Sequence, residues 1–183
     1  MLKGKHVSLR AIERDDLKTL HALTQHVEAS ILADGAWEPV PLAALEKRFE
    51  RGLDRNNASW FGIIADDRII GDINLHSIDT RSRVAAFGVA IYEEAMQGRG
   101  FGREAIGLFL GWAFFIENYE RIWLTTWSTN KRAIRCYQAL GFVEEGRQRR
   151  QLFIDGTYVD VLLMGLLRTE WRANDKGATN ASR

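Results

Sequence analysis

The stretch from Val84 to Ile116 constrains this chain more than any other. Val84 to Tyr92 is apolar almost throughout, which reads as a strand covered on both faces. After a short spacer comes Gln97-Gly98-Arg99-Gly100-Phe101-Gly102. Phe101, Ala105, Leu108, Phe109, Trp112, Phe115 and Ile116 then recur at the spacing of an amphipathic helix. A strand thus runs through glycines into a helix N-terminus. The first turn of a helix has backbone N–H groups without intrahelical partners, and its dipole favours negative charge. Glycines allow φ > 0 and close approach to an anion, and Arg99 and Arg103 add cationic donors. The segment reads as a phosphate cradle. A P-loop would need Lys-Ser or Lys-Thr after the glycines, and a dinucleotide fingerprint would need G-x-G-x-x-G in an early βαβ unit; this chain has neither.

The remaining pattern supplies the layers around that element. Val7 to Ile12 alternates as a half-buried strand, and Glu13-Arg14-Asp15-Asp16 opens an acidic helical turn continued by Leu17, Leu20 and Leu23. Both prolines lie in Glu38-Pro39-Val40-Pro41, read as a loop, and Leu42 to Leu53 is helical again. Trp60–Ala65 and Ile69–Leu75 form a hairpin around Asp66-Asp67-Arg68. Arg121 to Trp127 is a strand. Asn130 to Leu140 is a helix stopped by Gly141, and Arg147–Ile154 and Thr157–Leu167 flank the turn Asp155-Gly156. The order is strand, helices, three strands, helix, strand, helix, two strands, which is a mixed α/β (α+β) layer structure. Residues 1–170 read as one domain and 171–183 as a disordered polar tail.

Downstream of the glycine loop stands Asn130-Lys131-Arg132-Ala133-Ile134-Arg135-Cys136-Tyr137-Gln138-Ala139-Leu140-Gly141-Phe142. Q-x-x-G-x-G followed in register by N-x-x-A-x-x-x-Y-x-x-x-G-F resembles the GNAT superfamily of acyl-CoA N-acyltransferases. Val7-Ser8-Leu9-Arg10-Ala11 with Asp15-Asp16-Leu17, and Glu144-Glu145-Gly146 with Asp155-Gly156-Thr157-Tyr158, are similar to one branch of it. That branch holds the RimJ/RimL ribosomal-protein alanine acetyltransferases and the spermidine acetyltransferases. The resemblance covers nearly the whole chain to about Glu170, and residues 26–57 match least.

The resemblance implies a central sheet of about seven strands flanked by about four helices, with a splayed parallel strand pair forming the cleft for acetyl-CoA. The backbone of Val89 and Ile91 would pair with the pantetheine arm. Gln97, Gly98, Arg99, Gly100, Phe101, Gly102 and Arg103 would hold the pyrophosphate, and Asn130 and Ala133 would meet the cofactor from the opposite side. Tyr137 would be the general acid for the leaving thiolate; without the family it reads as a packed helix tyrosine. Some relatives carry a glutamate base on the strand before the loop, where this chain has Ala85-Ala86-Phe87-Gly88. Asp72, His76 and Ser128, with Glu93 and Glu94 behind them, remain as bases or relays, although each acid also reads as a surface charge and Ser128 as a helix cap. Trp37 would line the acceptor pocket. The acceptor stands open between a protein N-terminus and a small amine such as a polyamine, an amino sugar or an antibiotic. A homodimer is compatible with the resemblance, and a catalytically silent CoA-binding module is the other alternative.

Composition sets limits on partners. A net charge of +1 gives no long-range pull toward nucleic acid or an anionic membrane. The four histidines, His6, His21, His26 and His76, show no metal spacing. Cys136 is the one cysteine, so no internal disulfide forms, and a reducing cytoplasm is the expected location. No run approaches the ~20 apolar residues that span a bilayer. The segment Arg147, Arg149, Arg150 is either a solvated face or a place for an acidic ligand.

Overall fold

A computed structural model describes residues 1–25, 40–53, 59–154 and 156–171. The elements are β1 (Leu2–Lys3), β2 (Ser8–Ala11), α1 (Asp16–Thr24), α2 (Leu42–Leu53), β3 (Trp60–Ala65), β4 (Arg68–Asp79) and β5 (Val84–Ile91). A 3-10 turn (Glu94–Met96) follows, then α3 (Phe101–Phe115), β6 (Arg121–Trp127), α4 (Lys131–Ala139), β7 (Val143–Ile154) and β8 (Thr157–Leu167). The strands form one eight-stranded sheet in the order β1-β2-β3-β4-β5-β6-β8-β7. Within it β5 and β6 run parallel, with Val84 opposite Arg121, Ala85 opposite Ile122 and Ala86 opposite Trp123. The mixed fold expected from the sequence is present. The strand beyond the expected seven is β1, whose two residues pair with β2 and are too short to show any periodicity.

The chain packs as two compact units, Met1–Leu75 with Gly88–Ala105, and His76–Phe87 with Ile106–Arg183. In the first, Ile12, Leu17, Leu20 and Ile69 are buried under Leu23, Leu42, Leu45, Phe49 and Trp60, so the apolar stripes of α1 and α2 close over the first strands. The acidic turn before α1 has a specific partner: Arg10 donates to both Asp16 oxygens at 2.6 and 2.8 Å, and Glu13 N–H donates to the same carboxylate at 2.8 Å. The Arg10 guanidinium holds the Asp16 carboxyl below the usual range. Between β3 and β4, Asp66 and Asp67 take φ of 49° and 58°, the two left-handed residues that a tight hairpin turn demands.

In the second unit Phe109, Leu110, Ala113 and Phe114 of α3 are buried with Ile122 and Leu124 of β6 and Leu162, Met164 and Leu166 of β8. Phe87 packs on Phe109 and Phe142 at ring-centroid distances of 5.9 and 5.7 Å. On one face of the sheet Arg121 (β6) donates to both Glu145 (β7) oxygens at 2.6 Å, and the pair lies across Gly165 of β8. No helix among the described residues is long and apolar enough to cross a membrane.

The Gly165 position gives a test. A Cβ there would fall 2.1 Å from Arg121 Nη1 and 2.3 Å from Glu145 Oε1. Gly165→Ala is expected to cost about 1–3 kcal/mol in chemical denaturation, the scale of overpacking. An unchanged midpoint would show that the ion pair moves aside freely.

Candidate active site

The glycine loop belongs to the first unit. Gly98 and Gly100 take φ of 72° and 90°, while Gly102 is not left-handed. A Cβ on Gly102 would meet only Ile91 Cγ1 at 3.8 Å, an ordinary contact. Thus only Gly98 and Gly100 are glycine for conformational reasons. Together they turn the chain so that α3 starts at Phe101. The helical ladder opens with Glu104 N–H donating to the Gly100 carbonyl at 3.0 Å. The N–H groups of Phe101, Gly102 and Arg103 therefore have no acceptor within the helix.

Gln97 anchors this turn: its side-chain Nε2 donates to the Ile91 carbonyl at 2.7 Å, tying the end of β5 to the loop. Arg99 and Arg103 are exposed. The Arg99 guanidinium lies 4.7 Å from the Phe101 ring centroid and donates to Met96 Sδ at 3.2 Å, which holds it beside the helix start. Val89 and Ile91 are half-buried in the strand that leads into the loop.

A further residue, Glu104, secures the same turn. Its carboxylate accepts from His6 N–H at 2.8 Å and Val7 N–H at 3.5 Å, and His6 Nδ1 lies 3.0 Å from its other oxygen. A Cβ on Gly4 would fall 2.2 Å from Glu104 Oε1, so the chain ahead of β2 wraps closely around this carboxylate. Burial works against the charge, but the donors from His6, Val7 and Lys5 outweigh it and hold the carboxyl below its usual range. The carboxylate stays charged, and its own donors hold it toward the segment before β2. Nothing local marks this arrangement in the sequence, because its partners lie nearly a hundred residues apart.

Asp72, a candidate base, is buried in β4. Trp60 Nε1 donates to one oxygen, and the Tyr92 hydroxyl donates to the other at 2.9 Å. Burial raises its pKa above the ordinary carboxyl range against the opposing pull of Trp60, Tyr92 and Arg48. Arg48 in turn lies 4.4 Å from the Trp60 ring centroid. With a donor on each oxygen, Asp72 ties β3 and β4 to the residue that follows β5. Glu93 lies 3.5 Å from Arg68 as an exposed ion pair.

The second unit holds the other candidates. Asn130 caps α4, its Oδ1 accepting from Ala133 N–H at 3.1 Å. The cap is thus Asn130, not Ser128, whose N–H instead donates to the Asp160 carbonyl at 2.8 Å. Tyr137 lies on α4, half-buried, with its ring edge-on to Phe87 at 6.1 Å and against Phe142 at 6.0 Å. Burial pushes its hydroxyl well above the usual phenol range, so it stays protonated at neutral pH and is a donor there. His76 is exposed, 3.1 Å from Ser77 Oγ and edge-on to Trp123 at 6.3 Å. Trp37 lies outside the described residues.

The model of the acetyltransferase (GNAT) domain family matches residues 6–143. The spermidine N(1)-acetyltransferase of Vibrio cholerae is 33% identical over 170 residues, covering 92% of this chain and 96% of that one. The crystal structure of spermidine N-acetyltransferase from Vibrio cholerae in complex with CoA and spermine is similar with a TM-score of 0.81 and 31% identity, covering 90% of this chain and 97% of that one. The putative ribosomal N-acetyltransferase YdaF of Bacillus subtilis is 29% identical over 110 residues, covering 60% of each chain. The chain belongs to the GNAT acetyltransferase family. It is an N-acetyltransferase, and acetyl-CoA is its acetyl donor. The loop fits that donor on its own terms: a helix N-terminus, two left-handed glycines and two exposed guanidiniums suit a pyrophosphate. Among the described residues no group of three or more His, Cys, Asp or Glu side chains is placed to hold a metal ion.

The three glycines separate by experiment. Gly98→Ala and Gly100→Ala place a Cβ in left-handed backbone, a strain of roughly 1–2 kcal/mol each. They are expected to lower thermal stability and weaken acetyl-CoA binding together. Gly102→Ala is expected to leave stability unchanged. Equal effects at all three positions would contradict the assignment of the turn to Gly98 and Gly100.

Proposed function

We propose that this chain acetylates a small primary amine by direct attack on the thioester of acetyl-CoA. The observation that carries the reading is the pair of left-handed glycines that turn the chain into the N-terminus of α3. In this reading, N–H groups of Phe101, Gly102 and Arg103, with the guanidiniums of Arg99 and Arg103, bind the pyrophosphate. Gln97 holds the loop in shape, and the backbone of Val89 and Ile91 pairs with the pantetheine arm. Asn130 and Ala133 at the start of α4 meet the same arm. The small-amine reading is preferred over a protein N-terminus because the relatives matched along more than 90% of both chains include spermidine acetyltransferases, whereas the ribosomal one matches over 60%.

Chemically the acceptor must lose a proton and the departing thiolate must gain one. A free alkyl amine has a pKa near ~10 and a thiol near ~8.5, so both transfers need help near neutrality. Tyr137 supplies the second as general acid. Its raised pKa suits it to donate and excludes it as the base at pH 7. Asp72, with a donor on each oxygen, serves to shape the end of β5, which leaves the amine proton to a water relay through Ser128 or His76.

Three measurements test this. Acetyl-CoA consumption across a panel of small amines and peptides should show turnover with small amines; turnover with peptide N-termini alone would contradict the acceptor class. Because Tyr137 titrates above its ordinary range, kcat/KM should rise with pH as amine and base deprotonate and show no alkaline fall up to about pH 10. Tyr137→Phe should lower kcat about 100-fold with acetyl-CoA affinity unchanged. Unchanged turnover in that variant would remove Tyr137 from the chemistry.

A further inference from the structure

β7 departs from regular pairing at two places, between Glu144 and Gly146 and, by more residues, between Gln148 and Leu152. Gln148 stands opposite Val161 and Leu152 opposite Val159, so Arg149, Arg150 and Gln151 together face the single residue Asp160. Arg150 sits at φ 52°, in the left-handed region, without being glycine. Such backbone costs of order 1–3 kcal/mol and persists where surrounding groups impose it. Here Asp160 imposes it: Arg150 N–H donates to its carboxylate at 2.9 Å, and Arg147 Nη1 lies 3.4 Å from the other oxygen. That backbone hydrogen bond, with Arg147 and Arg149 nearby, keeps the Asp160 carboxyl below its usual range. The Arg150 guanidinium lies 5.2 Å from the Tyr158 ring centroid.

The bulge has a definite place. Gln148 pairs with Val161, and Val161 with Trp127, the last residue of β6. The bulged residues therefore lie abreast of Ser128, just beyond the carboxyl end of β6. Asp160 joins the two, since its own carbonyl accepts from Ser128 N–H at 2.8 Å. The carboxyl ends of parallel strands are where ligands bind in α/β sheets, and bulges beside active sites re-aim side chains. The charge at this spot does not cancel. Arg147, Arg149 and Arg150 face Glu144 and Asp160, three guanidiniums against two carboxylates, while Glu145 is taken by Arg121.

We propose that this bulge is an anion-recognition element of the acceptor site, so that the preferred acceptor is a small amine bearing a carboxylate or phosphate. A bare polyamine would meet like charge there. Arginine suits the role because its fork reads a carboxylate or phosphate through paired hydrogen bonds. The inference rests on the acetyltransferase reading above and narrows its acceptor.

The test compares kcat/KM for glutamate, glutamate dimethyl ester, phosphoethanolamine, ethanolamine and spermidine, in the parent chain and in Arg149→Gln/Arg150→Gly. The Arg150→Gly change suits the left-handed backbone, so the bulge is retained and melting temperature serves as the folding control. In the parent chain each anionic amine should exceed its neutral counterpart by about tenfold or more, the scale of a charge-assisted hydrogen bond, and should exceed spermidine. The variant should bring those ratios to near unity with the KM for acetyl-CoA unchanged. Preference for spermidine, ratios unmoved by the substitutions, or turnover of none of the five amines would overturn the anion site. Failure to bind acetyl-CoA would instead overturn the reading on which it rests.

Discussion

A helix cannot satisfy its own first N–H groups, and the way α3 meets this limit organises the molecule. Phe101 and Ala105 are buried in the first unit and seat the first turn of the helix there. That fixes where its N-terminus points. Gly98 and Gly100 bring the chain into that N-terminus at angles an L-residue resists, Gln97 ties the turn to the end of β5, and Glu104 ties it to the segment before β2. The first N–H groups of the helix are then held in place before any ligand arrives. A preformed donor set costs little reorganisation on binding.

The acidic groups of the chain show how context decides role. Glu104, Asp72 and Asp160 are all carboxylates with several donors, yet they differ in direction. Glu104 and Asp160 are held below their usual range by hydrogen bonds that outweigh desolvation, and both stabilise backbone in the charged form. Asp72 is buried so completely that desolvation dominates its Trp60 and Tyr92 partners. In each case the carboxylate shapes a segment beside the proposed chemistry. Tyr137, the proposed proton donor, is the opposite case: burial protects its neutral form.

What could be read in advance follows from the range of each interaction. The strand–glycine–helix element and the Asn130 to Phe142 segment were legible because their signals are periodic or locally spaced, and both carry the family. The hairpin at Asp66-Asp67 was legible for the same reason. The Glu104 clamp was not, since a glycine at position 4 and a glutamate in a helix are each unremarkable alone. The Trp60–Asp72–Tyr92 group needs the residues of three segments brought side by side, so Asp72 read as a surface charge more readily than as a base. The β7 bulge was hidden because Arg149, Arg150 and Gln151 carry no sign of a register change; the three arginines were visible, but not that one of them is held left-handed by Asp160. Ser128 and Asn130 are both good capping residues, and only the bond from Ala133 N–H decides between them.

The central claim is that the α3 N-terminus binds the phosphate-bearing part of the acetyl donor. Calorimetric titration with S-acetyl-4′-phosphopantetheine and with S-acetylpantetheine isolates that interaction, because the two differ by a single phosphate. The account predicts that the phosphorylated compound binds at least tenfold tighter, about 1.4 kcal/mol, with an advantage that shrinks as salt is added. Equal affinity for the two compounds at low salt would contradict it.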